Sequence, residues 1–233
     1  VSAMASLLEA MIDTRVGQLV FSSSAATYGA PDVEVVDETT PTRPESPYGE
    51  SKLIGEWLLR DVERSTGLRH TSLRYFNVVG SGSRDIYDVS PHNLFPKVFD
   101  MLFRGLTPQI NGTDYPTPDG TCVRDYVHVE DLAAGHIAAL TRLDAVDDAV
   151  STWNLGTGHG TSVLELVAAF SRACGHDLPY EIVDRRPGDV AASYADATRA
   201  QAELGWRATR TVDDMCVDTW RWQSQNPHGY PDA

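Results

Sequence analysis

Tyr48 and Lys52 stand four residues apart in the segment Tyr48-Gly-Glu-Ser-Lys52. On a helix this spacing puts the phenol and the ammonium on one face, a turn apart. A neighbouring cation stabilises phenolate, so the pair is a candidate general base titrating below the usual tyrosine value near 10. With nine tyrosines and two lysines in 233 residues, chance gives such a spacing in about one chain in a dozen. A second feature is Ser22-Ser23-Ser24, which ends the apolar run Leu19-Val20-Phe21. Open parallel sheets present their ligand-binding groups at the C-terminal ends of strands. A hydroxyl at Ser24 can there share hydrogen bonds with the tyrosine and a substrate alcohol, although a polar turn leaving a strand has the same composition.

The elements around these residues follow from apolar spacing. Leu7, Leu8, Met11 and Ile12 mark a helix ending near Gly17, and Gln18 to Phe21 reads as a buried strand. Residues 22–47 read as loop. Leu53, Ile54, Trp57, Leu58 and Val62 then form a helical stripe from Tyr48 to Gly67, and Arg69 to Phe76 is rich in strand formers. Helix, strand, helix, strand is the order of a parallel α/β sheet. Beyond Gly80 the pattern loosens, which predicts a domain boundary. A helix is expected from Pro91 to Arg104, turns over 111–120, a helix over 129–143 and a strand over 152–155. Ser162 with Glu165 forms a capping box opening a helix whose buried face is Val163, Val167, Phe170 and Cys174. Helices near 198–204 and 212–223 close the chain.

Composition restricts the partners. A content of 42% hydrophobic and 22% charged residues suits a globular chain. The net charge of −14 repels polyanions, so neither nucleic acid nor an anionic membrane is expected as a partner. A small anionic ligand is compatible with that charge, because arginines focused in a cleft act over about 10 Å. Cys122, Cys174 and Cys216 form no CxxC pair, and reduced cytoplasmic thiols are the expectation. No apolar run approaches the roughly eighteen residues of a membrane span. No HExxH or clustered His and Cys ligand set occurs, so no metal is expected, and a lone histidine such as His136 reads as a packing or surface residue.

A serine at a strand end followed by YxxxK on the next helix resembles the extended short-chain dehydrogenase/reductases acting on nucleotide sugars. The resemblance sharpens to the UDP-glucose 4-epimerase family through segments spread over nearly the whole chain. These are Phe21-Ser-Ser-Ser-Ala-Ala-Thr-Tyr-Gly29, Ser46-Pro-Tyr-Gly-Glu-Ser-Lys52, Arg74-Tyr-Phe-Asn77, Asp114-Tyr-Pro-Thr-Pro-Asp-Gly-Thr-Cys-Val-Arg-Asp-Tyr126, Asn154-Leu-Gly-Thr-Gly158 and Arg185-Arg-Pro-Gly-Asp189. The resemblance implies an α/β fold: a doubly wound, Rossmann-type parallel-sheet domain, here incomplete, with a smaller mixed α/β substrate domain. Residues 1–79 would be the C-terminal half of the NAD-binding domain. Residues 80–233 would bind the UDP-sugar, with 129–156 packing back on the Rossmann sheet. It further implies NAD as cofactor, a UDP-hexose substrate and a cytoplasmic homodimer.

The same resemblance assigns roles to residues. Tyr48 would be the base, Ser24 its hydroxyl partner, and Lys52 the group holding the nicotinamide ribose. Ser22, Ser23, Tyr75 and Phe76 would join Tyr48 and Lys52 around the cofactor. Ser24, Asn77, Asn93, Leu94 and Ser193 would contact the sugar nucleotide, with Arg124 and Arg186 on the diphosphate and Asp189 accepting from nucleotide hydroxyls. Oxidation at C4, rotation of the 4-keto sugar and re-reduction on its other face would interconvert UDP-glucose and UDP-galactose.

Several positions depart from the family pattern. Ser193 stands where a bulky residue often restricts the pocket, so UDP-N-acetylhexosamines become candidate substrates. Asn111 replaces a usual aromatic and His92 a usual asparagine. The glycines of Gly156-Thr-Gly-His-Gly160 do not match GxGxxG and read as a structural turn. Ser24-Ala25-Ala26 lacks the Thr-Asp-Glu of nucleotide-sugar 4,6-dehydratases, which disfavours dehydration. A UDP-pentose 4-epimerase and a non-catalytic sugar-nucleotide-binding remnant are compatible with the same motifs. No GxxGxxG turn precedes Ser22, and the chain opens without a helix cap. An N-terminally truncated chain, inactive alone, is the expectation.

Overall fold

A computed structural model describes residues 1–82, 86, 88, 94–146, 151–186, 188–227 and 229–230. They fall into two compact units. The first comprises Val1–Phe76, Leu132–Gly158 and Tyr194–Ala208; the second comprises Asn77–Asp131, His159–Ser193 and Thr209–Ala233.

The first unit is built on a parallel sheet of β1 (Gln18–Ser22), β3 (Arg69–Tyr75) and β8 (Ser151–Leu155), in the order β1-β3-β8. Gln18 pairs with Arg69 and Ser22 with Leu73, while Thr71 pairs with Ser151 and Tyr75 with Leu155. This α/β, parallel-sheet, Rossmann-like arrangement matches the fold class expected from the alternating elements. Helix α2 (Pro47–Thr66) connects β1 to β3. Proline stands at its first turn, the Ser46 hydroxyl accepts from the Gly49 amide, and Gly67 ends it in the left-handed region at φ 76°. Helix α1 (Ser2–Thr14) packs Leu8 and Met11 against Leu58, Leu59 and Val62 of α2. Helix α6 (Thr198–Leu204) lies by β8, where the Trp153 indole donates to Glu203 at 3.0 Å.

The expected loop over 22–47 contains a single 3-10 turn, Ala25–Tyr28, and a two-residue strand, β2 (Val35–Val36), to which Tyr194 and Ala195 of β11 (Ala192–Ala195) add in parallel. The stripe expected on α2 is also rotated: Trp57 is half exposed, whereas Gly49, Leu53, Gly55, Glu56 and Leu59 are buried. A buried carboxylate interrupts the apolar pattern, and that interruption shifted the sequence-based face.

In the second unit, short strands pair locally: β4 (Asn77–Val79) with β7 (Tyr126–His128), and β5 (Gln109–Asn111) with β10 (Glu181–Val183). Strand β6 (Val123–Arg124) takes Ala192 and Ser193 on one side and antiparallel β9 (Thr161–Ser162) on the other. Helices α3 (Leu94–Phe103), α5 (Val163–Cys174) and α7 (Val212–Gln225) supply the core, in which Phe95 packs on Phe170 at 4.5 Å beside Tyr126, Met215 and Cys216. The capping box of Ser162 and Glu165 forms as expected. The buried face of α5 is Leu166, Ala169 and Phe170 rather than Val163, Val167 and Cys174. Helix α4 (Val129–Ala145) divides between the units, its Leu132–Ala145 part belonging to the first. Pro91, His92 and Asn93 lie outside the described residues.

Candidate active site

The C-terminal end of β1 and the first turns of α2 gather the chemistry-bearing residues of the first unit. Lys52 Nζ donates to the Ser22 carbonyl at 2.9 Å and lies 5.5 Å from the Tyr48 ring centroid. It also lies 5.5 Å from the ring of Phe21. Burial against these groups pulls the lysine below its ordinary pKa. Tyr48 is 53% exposed.

Ser24 caps the 3-10 turn, its oxygen accepting from the Ala26 amide at 3.1 Å, a bond that leaves the hydroxyl hydrogen free to donate. The turn presses on the start of α2: a Cβ on Gly49 would fall 2.4 Å from the Ala26 carbonyl oxygen. Only glycine next to Tyr48 allows this approach.

The three serines face different neighbours. The Ser22 hydroxyl lies 3.1 Å from His136 Nε2, and His136 Nδ1 lies 3.0 Å from the Leu132 carbonyl. A carbonyl only accepts, so His136 Nδ1 donates to Leu132. Burial raises the Tyr75 pKa and the nearby Tyr48 pushes the same way, while a hydrogen bond with Ser22 opposes them. Tyr75 lies 6.2 Å, ring to ring, from His136. His136, half-buried, thus packs into this group, as a packing residue reached through the tertiary fold. No local spacing signals a partner more than a hundred residues away. The Ser23 side chain is completely buried and donates to Glu56 Oε1 at 2.5 Å. Phe76, half-buried, continues the strand with its amide on the Leu155 carbonyl at 3.2 Å.

The second unit gathers the cationic residues. Arg186 grips Asp189 with two nitrogens, Nη2 to Oδ1 at 2.9 Å and Nε to Oδ2 at 3.2 Å, and this pairing raises the arginine's pKa. Arg124 Nη2 lies 3.9 Å from the same carboxylate, while its Nη1 donates to the carbonyls of Val123 and Val190, each at 2.8 Å. Two guanidinium groups thus converge on one largely buried carboxylate. Ser193 pairs in register with Arg124. Asn77 and Leu94 are exposed; Asn93 lies outside the described residues. Asn111 ends β5 opposite Val183. Among the described residues no group of three His, Cys, Asp or Glu could hold a metal ion, and no helix is long and apolar enough to cross a membrane.

Comparison with known proteins bears on this arrangement. Residues 1–156 match the family model described as NAD dependent epimerase/dehydratase family. A UDP-glucose 4-epimerase of Yersinia pestis is 48% identical over 97% of this chain and 69% of its own length. The crystal structure of UDP-glucose 4-epimerase from Bifidobacterium longum, in complex with NAD+ and UDP, superposes with a TM-score of 0.87 at 45% identity, covering 97% of this chain and 69% of that one. A UDP-Glc/GlcNAc 4-epimerase from Campylobacter jejuni does so with 0.80 at 36% identity, over 95% of this chain and 69% of that one. The chain thus spans about two thirds of the length of these relatives. It belongs to the NAD-dependent epimerase/dehydratase family and, within it, to the UDP-glucose 4-epimerases.

Proposed function

We propose that the chain carries the proton-transfer and substrate-holding residues of a UDP-hexose 4-epimerase, interconverting UDP-glucose and UDP-galactose. The observation that carries this reading is the open Tyr48 phenol set over Lys52 at the end of β1.

Tyr48 takes the proton of the sugar 4-hydroxyl and returns it at the same oxygen after C4 has inverted. Ser24 orients that hydroxyl with its unused O–H. Lys52 spends one of its three donors on Ser22, and its remaining donors with the Tyr48 hydroxyl suit the diol of a nicotinamide ribose. This donor set fits NAD, with Ser22, Tyr75 and Phe76 as further cofactor contacts. When bound, NAD supplies the hydride acceptor and donor that allow inversion without net redox. Arg124 and Arg186 hold the diphosphate, for which a planar fork is suited. Asp189 then accepts from nucleotide hydroxyls or orders the two arginines, and Asn77, Asn93 and Leu94 contact the sugar nucleotide. Ala25 and Ala26 offer no acid or base for eliminating water.

For the finer specificity, acceptance of UDP-N-acetylhexosamines, the support is the small side chain of Ser193 in register with Arg124. The 233 residues contain no GxxGxxG turn before Ser22, so a polypeptide of these residues alone should hold NAD weakly and turn over little. The test is to join the chain to the part of the Yersinia pestis relative that it does not span and follow UDP-galactose by proton NMR. Conversion to UDP-glucose without stoichiometric NADH is expected. Net NADH release with no C4 inversion, or loss of water from the sugar, would refute epimerisation.

A further inference from the structure

We infer that Glu56 is a positioning residue for the reaction: it latches the Ser22–Ser24 strand end to α2 and thereby sets Ser24 relative to Tyr48. The inference rests on the epimerase reading above. Tyr48, Lys52 and Glu56 occupy positions i, i+4 and i+8 of α2, one stripe down one face. The lower two grip consecutive residues of the strand end. Lys52 Nζ donates to the Ser22 carbonyl at 2.9 Å, and the Ser23 hydroxyl donates to Glu56 Oε1 at 2.5 Å. Ser24 is the next residue, so the helix that carries the phenol also holds the chain that carries its hydroxyl partner.

The carboxylate reaches the other end of the same turn through Arg74. Arg74 Nε donates to Glu56 Oε1 at 2.9 Å and Nη2 to Oε2 at 2.6 Å. Its Nη1 donates to the Tyr28 hydroxyl at 3.1 Å, and Tyr28 in turn donates to Asn154 Oδ1 at 2.7 Å. Tyr28 is the last residue of the 3-10 turn that Ser24 caps. Glu56 is therefore tied to both sides of that turn, directly at Ser23, the residue before its cap, and through one guanidinium at Tyr28, its last residue. All of these groups are buried: Ser23 and Asn154 are inaccessible, Tyr28 is 2% exposed, Glu56 4% and Arg74 6%. Arg74 alone would satisfy the charge of a pair that served stability only, and buried pairs add little to stability in any case. The bond from Ser23 is the part that a purely structural pair does not need.

The test uses the chain joined to the part of the Yersinia pestis relative that it does not span. Ser23→Ala removes only the latch bond and should lower kcat roughly tenfold, with KM for UDP-galactose changed less than about twofold. In a Ser24→Ala background the same substitution should cost less than about twofold, because its effect passes through Ser24. A readout independent of turnover is amide exchange at Ala26 and Thr27, whose N–H groups bond to the Ser24 hydroxyl and carbonyl. Exchange there should quicken roughly tenfold in Ser23→Ala. Glu56→Ala should behave likewise where it folds, and Ser23→Ala carries the test where it does not. Unchanged kcat and exchange in Ser23→Ala, or an equal loss with and without Ser24, would overturn the latch. Tyr48→Phe runs alongside: should it keep full kcat, the epimerase reading itself fails, whereas its collapse with an indifferent Ser23→Ala removes only the latch.

Discussion

At Ser193 a small side chain stands in register with Arg124, beside the carboxylate shared with Arg186. A ring placed there would intrude on whatever group lies next to Arg124. Ser193→Tyr is expected to lower kcat/KM for UDP-N-acetylglucosamine relative to UDP-glucose at least tenfold, or about 1.4 kcal/mol of discrimination. Competing both substrates in one NMR sample measures this directly, and an unaltered ratio would show that Ser193 does not border the 2-substituent. Residues of this kind differ in how far the sequence reveals them. Tyr48 and Lys52 are legible because their contact is made by helical spacing alone, four positions apart. Ser22 and Ser24 are legible because a strand end is marked by its own apolar run. Glu56 and His136 were not, since each acquires its partner through the tertiary fold: Glu56 meets Arg74 and Ser23, and His136 meets Ser22. A carboxylate inside an apolar stripe was the signal available for Glu56.

Helix α2 and strand β3 carry the predictions that belong to elements. Gly49 allows the helix start to touch the 3-10 turn, and its replacement would drive a Cβ to 2.4 Å from a backbone oxygen. Because backbone cannot swing aside, Gly49→Ala should destabilise by on the order of 1–3 kcal/mol, despite the higher helix propensity of alanine, as read by urea midpoint. A midpoint that rises would mean the turn and helix separate easily.

On β3, His70 is 2% exposed and neither ring nitrogen has a hydrogen-bond partner among the described residues. Burial, aided by Arg60, depresses its pKa from 6.5 to about 4. The unfolded chain therefore binds the proton first, and the stability tied to neutral His70 is whole above pH 6.5 and drains away as pH falls towards 4. Between about pH 7.5 and 4.5, wild type should lose on the order of 2 kcal/mol more than His70→Leu in urea unfolding; parallel losses would contradict a buried neutral imidazole. The order of helices and long strands was readable from periodicity, whereas the two-residue strands β2, β6 and β9 were not. They are too short to show a period, and their pairing is decided by distant partners.

At the scale of the whole molecule, the first unit's sheet leaves β1 paired only with β3 among the described residues. An open parallel edge invites self-association, and no helix N-terminus with a glycine-rich turn precedes it in these residues to receive a pyrophosphate. A polypeptide of these 233 residues should bind NAD at least roughly a hundredfold more weakly than the same residues joined to the part of a relative that they do not span, and should aggregate more readily. Calorimetric titration of both proteins with NAD measures the difference; equal affinity would place the dinucleotide determinants within this chain. Family membership was legible across both units because the motif-bearing segments are local runs of sequence.

The central claim is that the Tyr48 oxygen carries the proton of the sugar 4-hydroxyl, and the turnover of UDP-galactose by the joined protein with Tyr48→Phe tests it most directly. Phenylalanine keeps the ring and the 5.5 Å stacking over Lys52, so an unchanged urea midpoint should accompany a fall in kcat of roughly 100-fold to 10,000-fold. Epimerisation at the parent rate by a folded Tyr48→Phe protein would contradict the claim.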